Sequence, residues 1–118
     1  MLDPLTKNFD RHEFACKCNC GFDDISLLLV EKLQQLREVL GRPVKVTSGC
    51  RCAPHNRGVG GASESAHLGG FAADIACADS HEKMLMVPAA CIIFRRIGIY
   101  ESWIHCDVDG SKEQDVMF

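Results

Sequence analysis

The segment Phe71-Ala-Ala-Asp-Ile-Ala-Cys77 constrains this chain most, because it sets a carboxylate in the middle of an apolar run. Its alternation predicts a strand with Phe71, Ala73, Ile75 and Cys77 on one face and Asp74 on the other. An aspartate so placed needs a partner, since an unpaired buried carboxylate is costly. Two imidazoles are candidates. His67 precedes the aspartate across Gly69-Gly70, and His105 lies in a second apolar run, Trp103-Ile-His-Cys-Asp-Val108. Two histidines and one aspartate suffice to hold a zinc ion and leave one coordination position free. A lone histidine is more often a surface or satisfied residue than a ligand, so residue type by itself does not decide.

A chain of 118 residues makes one domain, 1–118, able to bury a modest core. Apolar residues at 47% and charged residues at 25% are an ordinary globular balance. A net charge of -3, with only scattered arginines such as Arg51, Arg57 and Arg95-Arg96, argues against a nucleic-acid partner. No apolar run approaches the roughly 20 residues of a membrane span. The first ten residues lack the charged start and apolar middle of a secretory signal. We therefore expect cytoplasmic synthesis, export by some other route, and a monomer.

Eight cysteines are many for such a chain. Cys77, Cys91 and Cys106 stand alone in apolar surroundings and are expected in the core. Cys16-x-Cys18-x-Cys20 and Cys50-x-Cys52 admit three readings, in this order: free thiols, a disulfide between the two clusters, or a second, structural metal. Structural zinc sites usually space their ligands Cys-x2-Cys or wider, which ranks the metal third.

Residues 1–22 read as an irregular arm with Phe9, Phe14 and Phe22 as apolar pegs and a turn at Cys20-Gly21. Asp23-Asp24 offers an N-cap to a helix of about Ile25 to Leu40, apolar at Ile25, Leu29, Leu33, Leu36 and Leu40 and stopped by Gly41. Val44 to Thr47 alternates as a half-buried strand, and Ala53 to Gly61 reads as a glycine-rich loop. Asp79 and Glu82 resemble a capping box opening a helix to about Phe94, which Pro88 should kink or interrupt. Arg96–Tyr100 and Trp103–Val108 form a predicted hairpin turning near Glu101-Ser102. On its second strand Trp103, His105 and Asp107 share one face, and Ile104, Cys106 and Val108 take the core side. The tail beyond Gly110 offers no pattern. These elements predict an α+β domain, a small and mostly antiparallel sheet packed with helices.

Three blocks in order, Ser48-Gly-x-Arg51, Ser65-x-His67-x-x-Gly-x-Ala-x-Asp74 and Ile104-His105-x-Asp107, resemble the zinc D-alanyl-D-alanine carboxypeptidase family, which shares its fold with the Hedgehog signalling domain. The likeness runs from about Phe9 to Val108, and Glu13-Phe-x-Cys-x-Cys-x-Cys-Gly21 is similar to phage-associated members. The resemblance implies zinc held by His67, Asp74 and His105, with Arg51 and Ser65 binding a substrate carboxylate. It implies hydrolysis of peptidoglycan stem peptides or cross-links, in a phage or prophage setting. Zinc suits that chemistry: it polarises a carbonyl and lowers the pKa of water to near 7.

The general base does not carry over. Many relatives have His-x-His, and Trp103 stands at the first of those positions here. Asp107 is the first candidate for base, or else a second-sphere acceptor that fixes a histidine tautomer. Glu101 is the second. Arg51 as a plain surface cation and Ser65 as a plain turn residue are the structural alternatives. His12, His55 and His81 are expected on the surface or in loops, and lining the cleft is the alternative for His55. Two other functions stay open. One is a zinc-retaining binding module without turnover, favoured by Trp103. The other is a redox or metal protein built on the cysteines.

Overall fold

The computed structural model describes residues 2–118. Helix α1 (Leu27–Leu40) is capped by Ser26, whose hydroxyl accepts the Leu29 N–H, and it stops at Gly41. The start thus falls two residues later than Asp23-Asp24 suggested, because Ile25 is buried before the helix begins. The predicted stripe faces inward: Leu29, Leu33 and Leu36 are fully buried, as is Val30 beside them. Gln34 also turns inward and pins the arm, accepting from the Thr6 hydroxyl and donating to the Asn8 side chain. Helix α3 (Ser80–Ile93) starts at Asp79, which caps the Glu82 N–H, and runs through Pro88 without interruption.

The expected loop at 53–61 is instead led by a short helix, α2 (Ala53–Gly58), with Pro54 in its first turn, where a missing N–H costs nothing. Five strands, β1 (Val46–Ser48), β2 (Ala72–Ala76), β3 (Arg96–Ile99), β4 (Trp103–Asp107) and β5 (Val116–Met117), form one sheet in the order β1-β2-β4-β3-β5. All neighbours are antiparallel except β3 and β5. The fold is α+β.

One face of the sheet supplies Ala73, Ile75, Ile97, Ile104 and Cys106 to the core, against α1, α3, Phe9 and Phe14. Two expected core residues are not there. Phe71 precedes the strand and is 41% exposed, and Cys91 lies on the outer side of α3. All eight cysteines are free thiols, so the inter-cluster disulfide is not formed. The opposite face of the sheet carries the polar residues. Because Asp74 and His105 are direct cross-strand partners, the β2–β4 register alone brings them together.

Candidate metal centre and cleft

His67 comes from a 3-10 turn, Ala66–Gly69, whose N-cap Ser65 accepts the His67 N–H. That turn leads directly into β2 and lays the imidazole against Asp74. His67, Asp74 and His105 each offer a ligand atom, all within 4.8 Å of one another. Asp74 Oδ1 lies 3.3 Å from His67 Nε2 and 3.1 Å from His105 Nδ1.

The second nitrogen of each ring is fixed by an acceptor. His67 Nδ1–H donates to the Gly49 carbonyl (2.6 Å), and His105 Nε2–H donates to Asp107 Oδ2 (2.7 Å). Metal-ligating histidines are commonly held in this way. With those protons so placed, two ring lone pairs converge on one carboxylate oxygen. Three acceptors facing one another call for a cation among them, a proton or a metal ion. The donor set of two imidazoles and one carboxylate fits zinc.

Electrostatics agree. Burial opposes ionisation of Asp74, but hydrogen bonds to His105 and His67 hold its carboxyl far below the usual range. Burial likewise works against a charged His105, yet Asp107 and Asp74 more than offset it and raise its pKa above the ordinary value. A raised imidazole pKa stabilises the fold through the protonated form. That contribution is complete below about pH 6.5 and disappears as pH rises through the higher folded-state value. In chelator-treated protein, we expect the stability gap between wild type and His105→Gln to narrow as pH rises above about 6.5, read from urea midpoints. A gap independent of pH would show that no imidazolium is stabilised there.

Asp107 is buried, and both of its oxygens are hydrogen-bonded. Oδ1 accepts from Arg96 Nε (2.9 Å) and the Asp109 N–H (3.1 Å), and Oδ2 accepts from His105 Nε2–H. Burial is again opposed, here by His105, Asp109 and Arg96, and the carboxyl is held below its usual range. Of the two readings of Asp107, the distances favour the one that orients His105. Glu101 is not brought to the centre; it sits exposed on the β3–β4 turn, away from the cleft wall.

Arg51 lines the cleft but is not a loose surface cation. Nη2 pairs with Asp74 Oδ2 (3.1 Å), Nε donates to the Ser48 hydroxyl, and Nη1 donates to Asn56 Oδ1. A guanidinium has five N–H donors, so two are left over. Asn56, 2% exposed, also donates to the Ala62 carbonyl and ties the rim to Arg51. His55 does not line the cleft.

The cleft is about 560 Å³ and has three features that the sequence did not announce. Tyr100 stacks on Trp103 (4.8 Å, 5° between planes). Phe118, brought in by β5, packs on His105 (5.5 Å) and under the Arg96 guanidinium. Phe118 fits there because Gly98, the residue paired with His105 on β3, has no Cβ; one built there would come within 2.7 Å of the Phe118 ring. Glu64 is the third. Its side chain makes no hydrogen bond or ion pair among the described residues, while its carbonyl accepts from Lys112. Glu64 sits one residue before Ser65, and that proximity was the one available signal.

No helix among the described residues is long and apolar enough to cross a membrane. A comparison with curated proteins gives no match. A family model described as peptidase M15 matches residues 7–107, which takes in all three motif blocks and every residue of the centre. The chain belongs to the peptidase M15 family, the zinc D-alanyl-D-alanine carboxypeptidase-like group that its motif blocks resemble.

Proposed function

We propose that this protein is a zinc metallopeptidase that hydrolyses D-amino-acid-containing bonds in peptidoglycan stem peptides or their cross-links, acting in a phage or prophage setting. The reading rests on one observation above all: His67 Nε2, Asp74 Oδ1 and His105 Nδ1 converge beside a cleft whose wall carries Arg51. When bound, zinc supplies Lewis acidity at the scissile carbonyl and lowers the pKa of water. The two uncommitted N–H groups of Arg51 are suited to a stem-peptide carboxylate. Ser65 accepts from His67 N–H, so its own hydroxyl proton is available to substrate. The Tyr100–Trp103 stack offers a flat apolar wall. Asp107 acts as a positioning residue, and Glu64 is the cleft carboxylate left to accept a proton.

Purified protein given muropeptides is expected to release D-alanine or split cross-links, to stop with a chelator, and to recover with zinc. Product identification then assigns carboxypeptidase or endopeptidase action. Zinc retained without hydrolysis of any wall peptide would instead support the binding module, which Trp103 and the hydrogen bonds that hold Asp107 to His105 and Arg96 favour.

The role of Asp107 has its own test. Asp107→Asn presents an amide to both His105 and Arg96, and one of its ends must face a donor with a donor. We expect zinc affinity at the histidine centre to fall by about 10–100-fold, measured by chelator competition. Unaltered affinity with turnover lost would make Asp107 the base after all.

A further inference from the structure

The four thiols of Cys16, Cys18, Cys20 and Cys52 play no part in the cleft. Their sulfurs nevertheless lie within 4.8 Å of one another, although the arm and α2 are far apart in sequence. Cys16 Sγ is 3.4 Å from Cys18 Sγ and 3.8 Å from Cys52 Sγ, and Cys18 and Cys52 are 3.5 Å apart. A disulfide needs sulfurs at about 2.05 Å. Zinc–sulfur bonds of about 2.3 Å at tetrahedral angles put neighbouring sulfurs about 3.8 Å apart. The three spacings of 3.4–3.8 Å lie far beyond a disulfide and near that tetrahedral edge, with Cys20 Sγ within 4.8 Å of the other three.

The backbone is shaped for this. Asn19 and Gly21 both adopt positive φ, 63° and 93°, and curl the loop so that its three alternate cysteines turn toward Cys52. The Asn19 N–H closes the turn onto the Cys16 carbonyl. The Cys52 N–H donates to Cys16 Sγ (3.5 Å), a contact that favours a thiolate. Cys50, buried and apart from the group, is excluded from the set, although it shares the Cys-x-Cys pair. Close sequence spacing therefore misleads here: three ligands come from one curled loop and the fourth from across the fold.

We propose that Cys16, Cys18, Cys20 and Cys52 bind a zinc ion as a closed structural site, separate from the histidine centre. On binding, each thiol gives its proton to solvent as its sulfur takes up the metal. Cys52 follows Arg51 and immediately precedes α2, so the ion fastens the N-terminal arm to the wall of the cleft.

The test uses the full chain purified under reducing conditions. Metal analysis should find two zinc equivalents in wild type, and one in Cys18→Ser/Cys52→Ser. Cobalt(II) supplied to His67→Ala protein should give thiolate-to-cobalt charge-transfer absorption, which the cysteine variant lacks. That band does not depend on the histidine centre, so failure of one site is distinguishable from failure of the other. If the cysteine variant does not fold, the cobalt spectrum of His67→Ala decides alone. Absence of the band, bound iron in place of zinc, or a disulfide among these four residues overturns the proposal.

Discussion

His67→Ala is expected to lose one equivalent of zinc and to lower kcat/KM on stem peptides by about 10³-fold or more. The size follows from the metal's share of the work: Lewis acidity is worth several kcal/mol in the transition state, and each 1.36 kcal/mol is a factor of ten. Two ligands, Asp74 and His105, cannot make a three-point site. The lost ring is almost wholly buried, and alanine puts no ligand atom in its place. Alanine also leaves the Gly49 carbonyl without its donor, which adds a moderate loss of stability. Circular dichroism should show the fold retained, which separates loss of metal from loss of structure. Wild-type zinc content together with wild-type turnover would remove the metal assignment and the peptidase reading with it.

The pairing of Asp74 with His105 could be read from the chain because it follows from strand periodicity, whereas His67, on a 3-10 turn, was placed by the family resemblance alone. Asp74 and His105 fall on the polar face of strands whose other face is Ala73, Ile75, Ile104 and Cys106, and a period of two leaves no third choice. Helix α1 was legible for the same reason at its own period. What the chain concealed depends on partners chosen in space. Arg51 could be placed near the site by resemblance, but its pairing with Asp74, Ser48 and Asn56 is a product of folding. Phe118 follows a two-residue strand, β5, that shows no periodicity, and the parallel pairing of that strand with β3 delivers the ring to His105. Glu101 could not be placed from the sequence because it occupies a turn, where side-chain direction does not follow from strand alternation. Cys91 misled because apolar neighbours along a helix include its outer face, where Ile92 is 86% exposed.

Phe14→Ala is expected to destabilise the protein by about 3–5 kcal/mol, a large part of the 5–15 kcal/mol typical of a domain. The arm that carries Phe14 has little regular structure: a single turn, Arg11–Phe14, closed by Asp10 and Glu13 in a capping box. What anchors it is burial. Phe14 is fully inaccessible, packs on Phe9 (5.9 Å between ring centroids), and enters the same core as α1 and the sheet. Its carbonyl accepts the Cys50 N–H (2.8 Å), one residue from Gly49, whose own carbonyl holds His67. Truncation opens a cavity at that junction, and the arm, tied on both sides, cannot collapse to fill it. The urea midpoint should fall without a change in slope, and chelator competition should show weaker zinc binding at His67 as the Gly49 carbonyl loses its fixed place. An unfolding free energy within about 0.5 kcal/mol of wild type, as for a surface substitution, would show the arm to be a dispensable appendage and not a wall of the core.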